Sequence, residues 1–230
     1  MKQSATQAQA ILNFYKNLSP GFRLPKGMEL MHPFTNKTVW SLVEAFYKRY
    51  YSDHDPRRFI FGINPGRFGG GVTGIPFTDP IRLQEVCGIA NDFKKQAELS
   101  SVFVYEVIEA YGGATAFYHD FFVTALSPLG FVREGKNVNY YDDALLLSRV
   151  EPFMIDCIRT QINTIGAGRI VYCLGEGENF KYFSKLNAKQ QFFSDIIPLP
   201  HPRWVMQYRR KKIREYIDRY VETLRSAVSP

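Results

Sequence analysis

Two polar side chains stand in apolar settings punctuated by glycine and proline, with the types and placing to do chemistry. One is Asn64, within FIFGINPGRFGGGVTGIPF (Phe59–Phe77); the other is His201, within PLPHPRW. Phe59-Ile60-Phe61 is an apolar run of the kind that makes a fully buried strand. It breaks into Gly62-Ile63-Asn64-Pro65-Gly66, followed by Gly69-Gly70-Gly71 and Gly74. Pro65 fixes its own φ and biases Asn64 towards an extended conformation. Glycines let the backbone turn with positive φ and let a ligand approach the main chain. A strand therefore ends by presenting one carboxamide on a stiff turn, beside backbone N–H groups able to hold an anion or a carbonyl. The plainer alternative is an ordinary Gly-rich loop.

The elements that must position these groups follow from pattern. Ser4 is expected to cap a helix to about Leu18, with Ala10, Ile11, Phe14 and Tyr15 inward. Ser19–Phe34 reads as an irregular connection, and a second helix runs from about Thr38 to Tyr50. Asp79-Pro80 opens a short helix to about Cys87, and another covers Ser101–Tyr111. Phe121–Leu126 is a second buried strand, ended by Ser127-Pro128; 130–139 (GFVREGKNVN) reads as a polar loop within reach of a ligand. Asp142 or Asp143 begins a long helix to about Ile165. Arg169–Leu174 and Ile196–Leu199 are further strands, separated by a helix to about Leu186, and a last helix spans about Tyr208 to Ala227.

Strands separated by helical stretches predict an α/β fold: three layers, α/β/α, around a mostly parallel four-stranded sheet. The expected organisation is one domain, 1–230, with helices of 1–57 packed on a core of 58–230. Ligands bind such sheets beyond the carboxyl ends of the strands. That rim would gather Asn64, the Thr124–Ser127 segment, Gly175 and His201.

Composition narrows the partner. The formal net charge of +7 favours a polyanion without choosing one. No apolar run approaches the roughly 20 residues that span a bilayer, and the first residues show a helical pattern without a signal-peptide core. Cys87, Cys157 and Cys173 are too scattered for a metal-ligand set, and their odd number argues against a disulfide framework. The expectation is a cytoplasmic protein without metal or cofactor.

GINPGRFGGGVTGIPF and the late PLPHPRW resemble the two active-site motifs of the uracil-DNA glycosylase superfamily. The nearest branch is the single-strand-selective monofunctional (SMUG-like) glycosylases, in a bacterial subfamily, whose first motif reads G-M-N-P-G-P-F-G followed by T-G-V-P-F. Ile63 replaces the Met and Arg67 the second Pro, with the interval from Asn64 to Phe77 kept; FYHDFFVTALSPLGF also resembles the family's middle strand. The resemblance implies a DNA partner and excision of uracil, a 5-substituted uracil such as hydroxymethyluracil, or another deaminated base, by hydrolysis of the N-glycosidic bond in base excision repair.

It also implies roles. Asn64 would orient the attacking water. A neutral His201 would donate to uracil O2, joined by backbone N–H groups around Gly62 and Ile63, since stabilising the leaving anion lowers the barrier most. Phe77 would stack on a base flipped out of the helix, with Gly66, Gly70 and Gly74 as pocket walls. One position departs: Ala125 stands where the family presents a base-reading asparagine. Thr124, Ser127, Asn137 or Asn139 would then supply those contacts, or discrimination weakens. In HPRWVMQYRRKK, Arg203 is the expected intruder into the vacated stack, beside Trp204, Val205, Met206 and Gln207. Arg209, Arg210, Lys211 and Lys212, opening the last helix, suit phosphates; a solvated helix face is the plainer reading.

No lysine stands in a motif position as a Schiff-base nucleophile, so a monofunctional enzyme without strand cleavage is expected. One domain with one rim needs no partner, so the expectation is a monomer, associated with the nucleoid. Two rival classes are a Rossmann-like nucleotide-binding protein and a catalytically silent DNA-binding module of the same fold. The first is disfavoured because Asn64-Pro65 interrupts the turn that G-x-G-x-x-G requires. The second is disfavoured because Asn64, Phe77 and His201 are all present.

Overall fold

The computed structural model describes residues 5–166 and 168–226. In chain order the elements are α1 (Gln7–Lys16), β1 (Met28–Met31), α2 (Lys37–Tyr50), β2 (Arg58–Gly62), α3 (Gly70–Thr73), α4 (Pro80–Glu85), α5 (Leu99–Tyr111) and α6 (Gly113–Asp120). Then come β3 (Phe121–Ala125), β4 (Gly130–Arg133), β5 (Lys136–Val138), α7 (Ala144–Thr164), β6 (Ile170–Leu174), α8 (Glu178–Gln190), β7 (Asp195–Leu199), α9 (Pro202–Tyr208) and α10 (Ile213–Ser226).

The four strands expected from the sequence form one parallel sheet in the order β3-β2-β6-β7. Phe59 pairs with Phe122 and Gly62 with Ala125, so side chains alternate between two faces. Phe59, Phe61 and Phe122 point one way: Phe122 stacks near Tyr47 and Tyr51 of the α2 end, and Phe61 meets Phe183 of α8. Phe121 points the other way, to Tyr111 of α5 and Phe117 of α6, with the Arg58 guanidinium 4.2 Å from its ring. Helices thus cover both faces, which is what near-continuous apolar strands require. Cys87, Cys157 and Cys173 are all buried and free.

Local signals set most helix starts. Asn36, Asp79 and Asp143 each accept backbone N–H groups of the first turn of α2, α4 and α7. The Ser4 cap lies outside the described residues; α1 is capped instead by Thr6, whose side chain and Gln9 form a reciprocal capping box. Ala227, the expected end of the last helix, also lies outside them.

A second sheet departs from expectation. The 19–34 connection contains β1, and the 130–139 loop is the hairpin β4–β5; together they form a three-stranded antiparallel sheet, β1-β4-β5. Its strands are three or four residues long and partly exposed, so they carry little hydrophobic period. The sheet docks on the Asn64 loop because Gly130 has no side chain. A Cβ there would lie 2.4 Å from Met31 and 2.7 Å from the Pro65 carbonyl. The other departure follows His201. Residues 202–208 are helical (α9), and Arg210–Lys212 form a 3-10 turn ahead of α10, not its first turn.

Candidate active site

The carboxyl ends of β2, β3 and β7 open into a cavity of about 600 Å3, within the range of roughly 300–1,000 Å3 typical of ligand pockets. Its lining includes Gly62, Ile63, Asn64, Gly66, Gly70, Gly74, Phe77, Ala125 and His201 from the parallel sheet and its loops. Asn137 and Asn139 come from the hairpin side, and Arg203, Trp204 and Gln207 from α9.

Asn64 is held at both ends of its carboxamide. Oδ1 accepts the Tyr140 N–H at 3.1 Å and Nδ2 donates to the Val138 carbonyl at 3.2 Å. Those partners fix which end is oxygen, and the second lone pair of Oδ1 stays available. Tyr140 is itself anchored: its hydroxyl donates to Asn179 Oδ1 at 2.7 Å, and Asn179 Nδ2 donates to the Leu174 carbonyl at the end of β6. Both residues are buried, so the chain of hydrogen bonds is fully inside the protein.

His201 caps α9, and its Nδ1 accepts the Arg203 N–H at 3.2 Å. A neutral ring with that acceptor carries its proton on Nε2. Burial, aided by the Arg203 charge, lowers the imidazole pKa to about 4, so the ring is neutral at physiological pH. The approach to His201 is also pinned: Gly175 N–H donates to the Leu199 carbonyl at 2.7 Å, and the Tyr220 hydroxyl donates to the Pro200 carbonyl.

Phe77 adopts φ +52°, a region costing an ordinary residue about 1–2 kcal/mol. Its flanks hold it there. Thr73 Oγ1 donates to the Thr78 carbonyl and accepts the Ile75 N–H. Asp79 Oδ2 accepts the Glu98 N–H, joining the start of α4 to that of α5. The phenyl ring lies over Gly62, where a Cβ would come within 2.8 Å of it. Its centroid is 6.4 Å from that of His201. Gly74 caps α3 at φ +74°, and a Cβ there would meet Val43 at 2.5 Å.

Two expected base contacts are absent from the lining. Thr124 and Ala125 are neighbours on β3 and so face opposite ways. Ala125 reaches the cavity, whereas the Thr124 hydroxyl is buried and donates to Gln161 of α7 at 2.7 Å. Ser127 is also fully buried, its hydroxyl donating to the Leu129 carbonyl. Asn137 sits at the mouth, exposed, with Oδ1 accepting the Arg67 N–H at 3.1 Å and Nδ2 directed over Gly66. Asn139 lines the cavity too, although its Nδ2 is 3.4 Å from Asp142 Oδ1.

On the far side, Arg203 and Gln207 are exposed on α9. Trp204 is partly exposed, covered by the Arg209 guanidinium at 4.7 Å and edge-on to Tyr216. Arg209, Arg210 and Lys211 lie outside the cavity on the exposed surface beyond α9. Sequence reasoning passed over several lining residues, among them Arg67, Glu98, Lys136 and Tyr141. Glu98 was legible as a cap: its carboxylate accepts the Ser101 N–H at the start of α5. Arg67 follows Asn64 in the Gly-rich motif itself, whereas Lys136 and Tyr141 reach the site through the folding of the hairpin and the turn after it.

The chain matches the family model described as "Uracil DNA glycosylase superfamily" over residues 49–225. Among solved structures it is similar to SMUG2 of Pedobacter heparinus, at 43% sequence identity and a TM-score of 0.93, covering 96% of this chain and 98% of that one. No curated protein matches it. A family match over most of the chain, on a fold that brings both motifs to one cavity, places this protein in the uracil-DNA glycosylase superfamily.

Proposed function

We propose that this DNA glycosylase takes a flipped uracil into the cavity and hydrolyses its N-glycosidic bond, without cleaving the strand. The observation that carries the reading is that Asn64 and His201 line one cavity, each oriented by backbone hydrogen bonds. Phe77 offers its face to the base. The base leaves with the electrons of the C1′–N1 bond, and Nε2–H of the neutral His201 stabilises the charge gathering on O2. Water bound to the free lone pair of Asn64 Oδ1 attacks C1′, and its proton passes to the departing base or to solvent. A sugar with oxocarbenium character needs a placed water more than a strong base, and a carboxamide is sufficient.

With Ala125 at the cavity floor and Thr124 turned away, Asn137 is the amide best placed to read the base edge. Small walls at Gly66 and Gly70 leave room for a 5-substituent such as hydroxymethyl. Trp204 and Gln207 flank Arg203, which reaches towards the vacated stack; Arg209, Arg210 and Lys211 supply phosphate contacts as a monomeric protein meets DNA. Lys136 is the one lysine among the described lining residues, and its exposed hairpin position is unlike a desolvated Schiff-base amine.

The test is base release from oligonucleotides bearing uracil or hydroxymethyluracil, with alkali cleavage performed separately. Wild type should release base while Asn64→Ala and His201→Ala do so far more slowly. Binding without release from any substrate would make the protein a silent lesion binder. A borohydride-trapped adduct lost in Lys136→Ala would overturn the monofunctional reading.

A further inference from the structure

The hairpin β4–β5 brings positive charge to the cavity as well as Asn137. Arg67 and Lys136 both line the cavity, as does Arg203 of α9. Arg67 stands where the resembling family motif has proline. Its backbone N–H donates to Asn137 Oδ1, and its guanidinium rests 4.4 Å from the Phe68 ring centroid. The same guanidinium comes within 3.8 Å of the position a Cβ would take at Gly135, the hairpin turn. The exposed guanidinium therefore lies between the Phe68 ring and the hairpin turn.

Neither Arg67 nor Lys136 forms an ion pair among the described residues, and neither does Arg203. By contrast, Arg133 on the same hairpin is paired with Asp143 at 2.8 Å. Lys37, Lys185 and Arg214 also lack an ion pair among the described residues, and what sets Arg67, Lys136 and Arg203 apart is their place in the cavity lining. The carboxylate nearest in sequence, Glu134, points its charge into no such pair, and Glu98 is occupied capping α5. Cations left without protein partners at a cavity mouth, one of them a planar guanidinium beside an aromatic ring, suit the oxygens of a phosphodiester.

We propose that Arg67 and Lys136 form a second phosphate-binding site, gripping the DNA backbone on the hairpin side of the flipped nucleotide while Arg209, Arg210 and Lys211 beyond α9 hold it on the other. The inference rests on the glycosylase reading only in taking DNA as the polyanion. A grip on both sides of one nucleotide would hold the compressed backbone that flipping requires, and it would be independent of sequence.

Salt dependence separates this from base reading. Fluorescence anisotropy is measured with a lesion-free duplex and a uracil-bearing duplex of the same sequence, from about 50 to 200 mM salt. Removing one phosphate-binding cation should flatten the slope of log K against log [salt] by about 0.9. Arg67→Ala and Lys136→Ala are expected to do so on both duplexes, the double variant by about twice as much, and Arg67→Lys to keep most of the slope. Lys48→Ala, on α2 and paired with Glu44, is the control for net charge and should leave the slope unchanged. An unchanged slope in Arg67→Ala and Lys136→Ala overturns the proposal. So does an equal flattening in Lys48→Ala, or weakening confined to the uracil duplex. If wild type releases no base from any substrate, the functional reading fails while the slopes still decide the phosphate site.

Discussion

The two sheets of this protein differ in almost every physical respect and meet at Asn64. The parallel sheet is buried on both faces, rich in phenylalanine, and contributes its strand ends to the cavity. The antiparallel sheet is short and half exposed, and it contributes a strand edge and a hairpin. Asn64 belongs to the first but is oriented by backbone groups at and just past the end of the second, at Val138 and Tyr140. On the proposed function, the chemistry is thus mounted on the buried sheet, while the smaller sheet aims Asn64. A rigid scaffold with an adjustable cover is one way to separate catalysis from recognition.

The sharpest way to break that division is to remove the two side chains proposed to be catalytic. His201→Ala and Asn64→Ala should each slow single-turnover base release by about 100- to 1000-fold, measured with enzyme in excess, while affinity for lesion-free DNA changes little. If His201→Ala instead weakened DNA binding with chemistry intact, catalysis and recognition would not be divided in this way.

The pH profile comes next. A free histidine would protonate near 6.5, but the pKa here is lowered to about 4. Activity that needs the neutral ring should therefore stay level as pH falls from 8 to about 5 and drop as it nears 4. Stability follows the same sign. Between 6.5 and 4 the unfolded chain takes up a proton at this residue and the folded one does not, so this contribution is present above 6.5 and lost as pH falls through that window. Thermal melts and single-turnover rates over the same pH series check both.

A smaller effect should come from the tether between the sheets. Tyr140→Phe removes the hydroxyl bond to Asn179 and is expected to slow base release by about tenfold, the scale of one buried hydrogen bond. In the Asn64→Ala background the same change should cost almost nothing, because the group it positions is gone. Additive losses would mean that Tyr140 acts on stability alone. The smallest change is Asn137→Ala, expected to lower kcat/KM for uracil by about 3- to 10-fold and to narrow the preference for uracil over other bases.

The parallel sheet was legible in the sequence because its strands are unbroken apolar runs ended by glycine or proline, and Phe59-Ile60-Phe61 followed by Gly62 is the clearest case. His201 was legible through its flanking prolines and its place after the fourth strand. The antiparallel sheet was not. Met28–Met31 and Lys136–Val138 are too short to show a period, and their pairing depends on Gly130 fitting against the Pro65 carbonyl, a contact 65 positions apart. The same limit misassigned Thr124. It neighbours the cavity residue Ala125 in sequence, but strand alternation sends it to Gln161. Helix α9 was hidden because HPRW reads as a loop until Pro202 is recognised as a first helical residue, capped by the histidine before it.

The burial of all three thiols makes the protein a reporter of its own opening. Cys173 lies in β6, Cys157 in α7 and Cys87 beyond α4; Cys87 and Cys173 are fully enclosed, while Cys157 is 5% exposed and lines a second cavity beside α1. Burial also pushes the Cys173 thiol up to about 12 and raises Cys157 and Cys87, leaving almost no thiolate to react with alkylating agents or peroxide. Modification at Cys87 and Cys173 must therefore wait for a local or global unfolding event, whereas Cys157 reports on the smaller opening of its cavity. Rates of thiol labelling, resolved site by site, would time the breathing of three separate regions without any engineered probe, with and without DNA in the cavity.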